Sequence, residues 1–183
     1  MDNSVHWEVI KSESVKLGRF ETVFETLALD EKRQGYYSFV KFQKNGVCIL
    51  PILENSEVLL IEQYRRPFDQ WLFELPAGII DPMEEPQDTA RRELMEETGL
   101  QADSLVPCGF FYPSPGSTNE QIFLFAAHCS HFSQSRLEST EHIRNHIFKK
   151  DEIQQLIQEN KIYHAAAVIL LQKYLLGLCD SIL

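Results

Sequence analysis

The spacing of acidic residues between positions 78 and 100 constrains this chain more than any other feature. The stretch reads Gly78-Ile79-Ile80-Asp81-Pro82-Met83-Glu84, then seven residues, then Arg92-Glu93-Leu94-Met95-Glu96-Glu97-Thr98-Gly99-Leu100. Pro86 suits the first turn of a helix, where its missing N–H is no loss, and Gly99 suits a left-handed C-terminal cap. With Glu93 set at zero, a turn of about 100° per residue puts Glu97 near +40° and Glu96 near −60°. Ala90 and Leu94 fall further round, at about +60° and +100°, where they can face a core. Two carboxylates about 4 Å apart repel by roughly 4 kcal/mol at an effective dielectric of 20. Like charges four residues apart also weaken an isolated helix. A face built this way needs a cation to compensate it, and a donor set of oxygens alone selects hard ions such as Mg²⁺ or Mn²⁺.

Charge runs on helices are commonly solvated faces, and Glu93, Glu96 and Glu97 alone would carry only that reading. The wider pattern carries more. It resembles the Nudix signature, Gly-x5-Glu-x7-Arg-Glu-aliphatic-x-Glu-Glu-x-Gly-aliphatic, at Gly78, Glu84, Arg92, Glu93, Leu94, Glu96, Glu97, Gly99 and Leu100. The resemblance implies a loop–helix–loop within an α+β fold, an α/β/α sandwich around a mixed sheet. It implies that Glu93 and Glu97 are metal ligands, that Glu96 is a ligand or the water-activating base, and that Glu84 is an outer ligand. It implies that the Ala77 carbonyl adds a ligand and that Arg92 orients a glutamate through an ion pair. Pyrophosphate hydrolysis suits such a kit, because metals neutralise phosphates and lower the pKa of bound water while a carboxylate takes the proton.

Composition narrows the alternatives. A 183-residue chain with 44% hydrophobic residues can bury one substantial core. The net charge of −10 and the absence of any Lys/Arg cluster argue against a nucleic-acid groove. Cys48, Cys108, Cys129 and Cys179 form no Cys-x-x-Cys pair and read as buried thiols of a reducing compartment. His128-Cys129-Ser130-His131 has no second ligand pair beside it, which disfavours zinc. With no signal pattern at Met1-Asp2-Asn3-Ser4 and no apolar run near the roughly 20 residues of a membrane span, the expectation is a cytoplasmic protein with no membrane partner.

Along the chain, residues 5–12 and 17–29 read as a strand hairpin. Residues 36–43 and 46–53 read as another, joined at Asn45-Gly46, a dipeptide suited to tight hairpin turns. Further strands are expected at 58–64, 71–75, 106–112, 121–128 and 143–149, with a loop around Pro76 and Gly78. Helices are expected at 86–98, 151–159 and 164–178. The division expected is a β-rich dimerisation region at 1–50 and a hydrolase domain at 51–183.

Outside the signature, the sequence resembles the branch of the family that hydrolyses ADP-ribose and other nucleoside diphosphate sugars. Glu62-Gln63-Tyr64-Arg65-Arg66-Pro67 is similar to its strand ending in a phosphate-binding arginine, which falls at Arg65. Ser114-Pro115-Gly116 is similar to its Ser-Pro-Gly turn, placing Pro115 and Gly116 at the substrate. Glu141 matches a loop glutamate that approaches the catalytic water, with Glu138 as the alternative. Tyr36 matches an aromatic that stacks on the base, and Trp7 is a further aromatic of the same region. The branch's swapped homodimers imply a second copy here. ADP-ribose would yield AMP and ribose 5-phosphate. GDP-mannose, dinucleotides or nucleoside triphosphates remain as other substrates, and a non-catalytic nucleotide sensor remains as another class, although an intact motif without an attached module disfavours it.

Overall fold

The computed structural model describes residues 7–18, 20–137 and 140–179. Backbone contacts divide the chain into two units, Met1–Gln43 with Tyr112–Glu120, and Lys44–Phe111 with Gln121–Leu183.

The smaller unit is an antiparallel meander of β1 (Glu8–Leu17), β2 (Phe20–Ala28) and β3 (Gln34–Lys41), in that spatial order. The first hairpin turns later than its sequence suggests. β1 continues through residues 13–16 and pairs Leu17 with Phe20, after a register slip between Val9 and Lys11. Gly18, at φ 59°, supplies the left-handed turn. Every residue of β1 is exposed, while β2 buries Val23 and Leu27. Residues 112–120 dock on β3. Val40 N donates to Ser117 O at 2.9 Å, and Asn119 both accepts from Phe42 N at 2.6 Å and donates to Phe42 O at 3.1 Å.

The larger unit holds β4 (Gly46–Ile52), β5 (Val58–Arg65), β6 (Gln70–Glu74), β7 (Ala77–Ile79), β8 (Leu100–Phe111), β9 (Ile122–Phe132) and β10 (Ile143–Phe148). These form one mixed sheet in the order β10-β5-β4-β9-β8, with β6 on β5 and β7 on β4. β4 and β9 run parallel and the other pairs are antiparallel. Every residue of β4 is buried, as expected of a strand covered on both faces. Successive side chains alternate between the two faces. Val47, Ile49, Leu59 and Ile61 pack with Ala90 and Leu94 of α1 (Pro86–Thr98). Cys48, Leu50, Val58 and Leu60 pack with Ile153 of α2 (Lys150–Gln158) and with Ala167, Leu170 and Leu171 of α3 (Ala165–Leu175). One helix lies on one face and two on the other, the α/β/α sandwich expected.

The Asn45-Gly46 hairpin does not form. β3 and β4 belong to different sheets, and neither Asn45 nor Gly46 has the positive φ a type I′ turn demands. Gly46 is there for close packing: a Cβ would lie 2.8 Å from Ile122 Cδ1 and 3.2 Å from Gly78 O. The segment expected as a loop at Ala77–Ile79 is instead β7, hydrogen-bonded to β4 opposite Gly46, Val47 and Cys48. β8 begins at Leu100, directly after the helix cap, rather than at 106. Residues 44–50, placed with the N-terminal region by sequence, cluster with the larger unit, which contains all of β4.

Candidate active site on the carboxylate helix

α1 presents its acidic face because its apolar residues are committed to the sheet: Thr89, Ala90 and Leu94 are buried, and Pro86 opens its first turn. Gly99 ends it at φ 76°, with its N–H donating to Met95 O at 2.9 Å. A Cβ at Gly99 would lie 2.1 Å from Ser133 O, so the cap needs glycine for space as well as for φ.

Glu93 lies directly over Gly78. A Cβ there would sit 2.0 Å from the Glu93 carboxylate, so glycine at this point of β7 makes room for the acid. Glu97 is buried, and its Oε2 accepts from Ala77 N at 3.0 Å. Ala77, whose carbonyl was expected as a metal ligand, meets Glu97 through its N–H, and Gly78 lies against Glu93.

Arg92 ties three acids together. Its Nε and Nη2 each lie 3.1 Å from Glu84, on Oε1 and Oε2 respectively. Its Nη1 donates to Glu93 Oε1 at 2.7 Å and to Glu96 Oε2 at 2.9 Å. Arg92 was expected to pair with one glutamate, and it pairs with three, Glu84, Glu93 and Glu96. Hydrogen bonds from Arg92 and Thr89 hold the Glu84 carboxyl down at about 2. The surrounding acids raise the Arg92 pKa in turn.

The inner acids shift the other way. Burial pushes Glu93 up to about 7 against the pull of Arg92, and the charges of Glu96 and Glu141 add to the rise. Burial raises Glu97 as well, with Glu93 and Glu141 contributing repulsion. These groups disfavour one another's charge, and a cation among them would reverse the sign of that interaction. A donor set of carboxylates suits a hard divalent ion. Among the described residues no three His, Cys, Asp or Glu side chains stand ready at metal-ligand spacing, including His128, Cys129 and His131. Arg92 occupies the space between Glu84, Glu93 and Glu96.

Glu141, in the segment before β10, lines a cleft of about 110 Å³ with Glu93, Glu96, Arg136 and Leu137. Glu138 lies outside the described residues. Arg136 had no signal in the sequence. Its place is set by its own backbone, whose N–H donates to Glu96 O at 2.7 Å.

Arg65, at the end of β5, is 40% exposed and pairs through Nε and Nη2 with both oxygens of buried Glu74, each at 2.7 Å. Glu97 and Glu141 both act on its charge. The remaining candidates belong to the smaller unit. Tyr36 is 87% exposed on β3 and lines a hollow of about 380 Å³ with Tyr37, Phe24 and Lys11. Pro115 and Gly116 form a turn closed by Ser117 N on Ser114 O at 2.9 Å, and Gly116 O accepts from Tyr37 Oη at 3.1 Å. Trp7 packs against Tyr37 with ring centroids 6.3 Å apart.

Known proteins resemble this chain in sequence and in fold. The chain is 27% identical over 172 residues to an ADP-ribose pyrophosphatase of Bacillus subtilis (strain 168), covering 92% of each chain. It is 37% identical over 126 residues to an ADP-ribose pyrophosphatase of Escherichia coli (strain K12), covering 64% of this chain and 60% of that one. A crystal structure described as an ADP compounds hydrolase shares the fold, with a TM-score of 0.84 at 20% identity over 97% of this chain and 98% of that one. The NUDIX domain model matches residues 43–169, a span that holds the whole sheet of the larger unit, the carboxylate helix and the cleft, and the chain belongs to the NUDIX family.

Proposed function

We propose that this protein hydrolyses the pyrophosphate of ADP-ribose or a related nucleoside diphosphate sugar, releasing a nucleoside monophosphate and a sugar phosphate. The observation that carries the reading is the seating of Glu93 and Glu97 against Ala77 and Gly78, where burial and mutual repulsion call for a cation. Full-length similarity to an ADP-ribose pyrophosphatase supports the substrate class.

Glu93, Glu97 and Glu96, with the Ala77 carbonyl and Glu84 further out, would hold Mg²⁺, or Mn²⁺ in its place. Bound there, a divalent ion neutralises the phosphates, polarises their P–O bonds and lowers the pKa of water. Glu96 or Glu141 takes the proton of the attacking water, and both line the cleft. Arg92 holds Glu93 and Glu96 in place, since one nitrogen reaches both. Arg65 binds a phosphate. Tyr36 stacks on the base, and Pro115 and Gly116 shape the turn beside it. The protein works as a homodimer. β1, an edge strand exposed along its whole length with Val9, Ile10, Val15 and Leu17 outward, is the surface that a second copy covers. No described helix is long and apolar enough to cross a membrane. Four free cysteines suit a reducing cytoplasm.

The test is a panel assay of purified protein with Mg²⁺ against ADP-ribose, GDP-mannose, dinucleoside polyphosphates and dNTPs. The expected result is AMP and ribose 5-phosphate from ADP-ribose at the highest kcat/KM. Preference for a dNTP overturns the substrate assignment. Full activity of Glu97→Gln overturns the metal assignment.

A further inference from the structure

Arg65 would be a poor phosphate ligand if its guanidinium were free to turn. The structure holds it by one edge. Nε and Nη2 both donate to Glu74, leaving the end-on edge, with one hydrogen on each Nη, for another partner. That free edge has the two-pronged shape that matches a pair of phosphate oxygens.

Glu74 is itself fixed. Its side chain is 4% exposed at the end of β6, where the strand is paired to β5 with Ile61 opposite Glu74 and Gln70 opposite Arg65. Close to the oxygen that accepts from Nη2 stands His164, the residue preceding α3, whose Nδ1 is 3.5 Å from Glu74 Oε2. His164 is buried enough for desolvation to lower its pKa, and among the described residues Nδ1 has no hydrogen-bond partner. A buried carboxylate with each oxygen bonded to the same guanidinium, and an imidazole close beside one of them, has little freedom to rotate.

Net charge makes the arrangement informative. A full ion pair with Glu74 weakens the bare attraction of Arg65 for phosphate, in a protein already at −10. The loss makes sense where orientation matters more than charge. We infer that Glu74, backed by His164, is a positioning residue that aims the free edge of Arg65 at the substrate's pyrophosphate. The inference rests on the proposed role of Arg65 in phosphate binding.

The experiment compares wild type, Glu74→Gln, Arg65→Ala and the double variant with ADP-ribose and Mg²⁺, reading KM, kcat and thermal midpoint. Glutamine keeps the shape of Glu74 but replaces one acceptor oxygen by an NH₂ that faces an Arg65 N–H. The expected result for Glu74→Gln is a rise in KM of about tenfold, the loss of one charge-assisted hydrogen bond, with kcat changed far less. In the Arg65→Ala background the same change is expected to leave KM where it was, because the group it aims is gone. Equal KM effects of Glu74→Gln in both backgrounds, or no effect in either, overturn the positioning role. An unchanged KM in Arg65→Ala alone overturns the phosphate reading of Arg65 instead. Arg65→Ala strands a buried carboxylate and can cost stability. Arg65→Lys, which keeps the charge and loses the fork, then takes its place and is expected to raise KM with kcat retained.

Discussion

At the scale of single residues, the site is a balance of opposite charge shifts on one helix face. Glu84 is held low by Arg92 and Thr89, whereas Glu93 is pushed to about 7 by burial and its acidic neighbours. A carboxyl raised in the folded state above its usual value near 4.5 binds more protons folded than unfolded between those two values. Its contribution is therefore present at low pH and lost as pH rises through about 7. The metal-free protein is expected to lose thermal midpoint from about pH 5 to 8, and Mg²⁺ should restore it most strongly at the alkaline end. A melting series with and without EDTA checks this, and equal Mg²⁺ stabilisation at both ends of the range would contradict it. Gly78 carries a sharper prediction. In Gly78→Ala the new methyl meets the Glu93 carboxylate, and a displacement of about 1 Å should lower kcat by about 10²-fold while the fold persists. Steady-state kinetics with circular dichroism separate the two effects. Arg136→Ala is a milder change. It removes the cleft's one described cation, and KM should rise by severalfold with the melting temperature unmoved.

At the scale of elements, the parts most legible in the sequence were those specified locally. Helix α1 was bounded by Pro86 and Gly99, and its acidic face and core face followed from periodicity. Elements that depend on distant partners were not legible. Asn45-Gly46 has the chemistry of a hairpin turn, yet the glycine answers to Ile122 and Gly78. β7 is three residues long and exists because β4 lies beside it. Two register slips, between Gln101 and Ala102 and between Ala102 and Ser104, break the alternation of β8 before residue 106. The same divide runs through the site. Glu93, Glu96 and Glu97 stand within one motif, but Glu74 reaches Arg65 from β6 and His164 reaches Glu74 from the start of α3, and no local spacing announces them. Packing of α1 gives its own prediction. Leu94 is fully buried against Ile49 and Leu59, so Leu94→Ala should cost about 2–5 kcal/mol in denaturant unfolding. A cost below about 1 kcal/mol would mean that the helix is not anchored there.

At the scale of the whole molecule, the smaller unit buries little for its size. β1 buries no residue and leaves both faces and one edge uncovered, an arrangement that single chains avoid. For the proposed homodimer, Val15→Lys with Leu17→Lys is expected to shift the 21.2 kDa chain from dimer to monomer in sedimentation, and a dimer that survives both charges would place the interface elsewhere. In the larger unit, the central parallel pair sets a different kind of constraint. Gly46 stands opposite Ile122, and Ile52 opposite His128. The strand at the heart of the sheet cannot find its neighbour until everything between them, the carboxylate helix included, has left the ribosome. Closing so long a loop must precede the reward of pairing, which slows the search and points to folding in milliseconds to seconds rather than microseconds. During that interval a hydrophobic strand and an unneutralised cluster of acids wait together in the nascent chain. Early capture of a divalent ion would serve the folding of this protein as well as its chemistry.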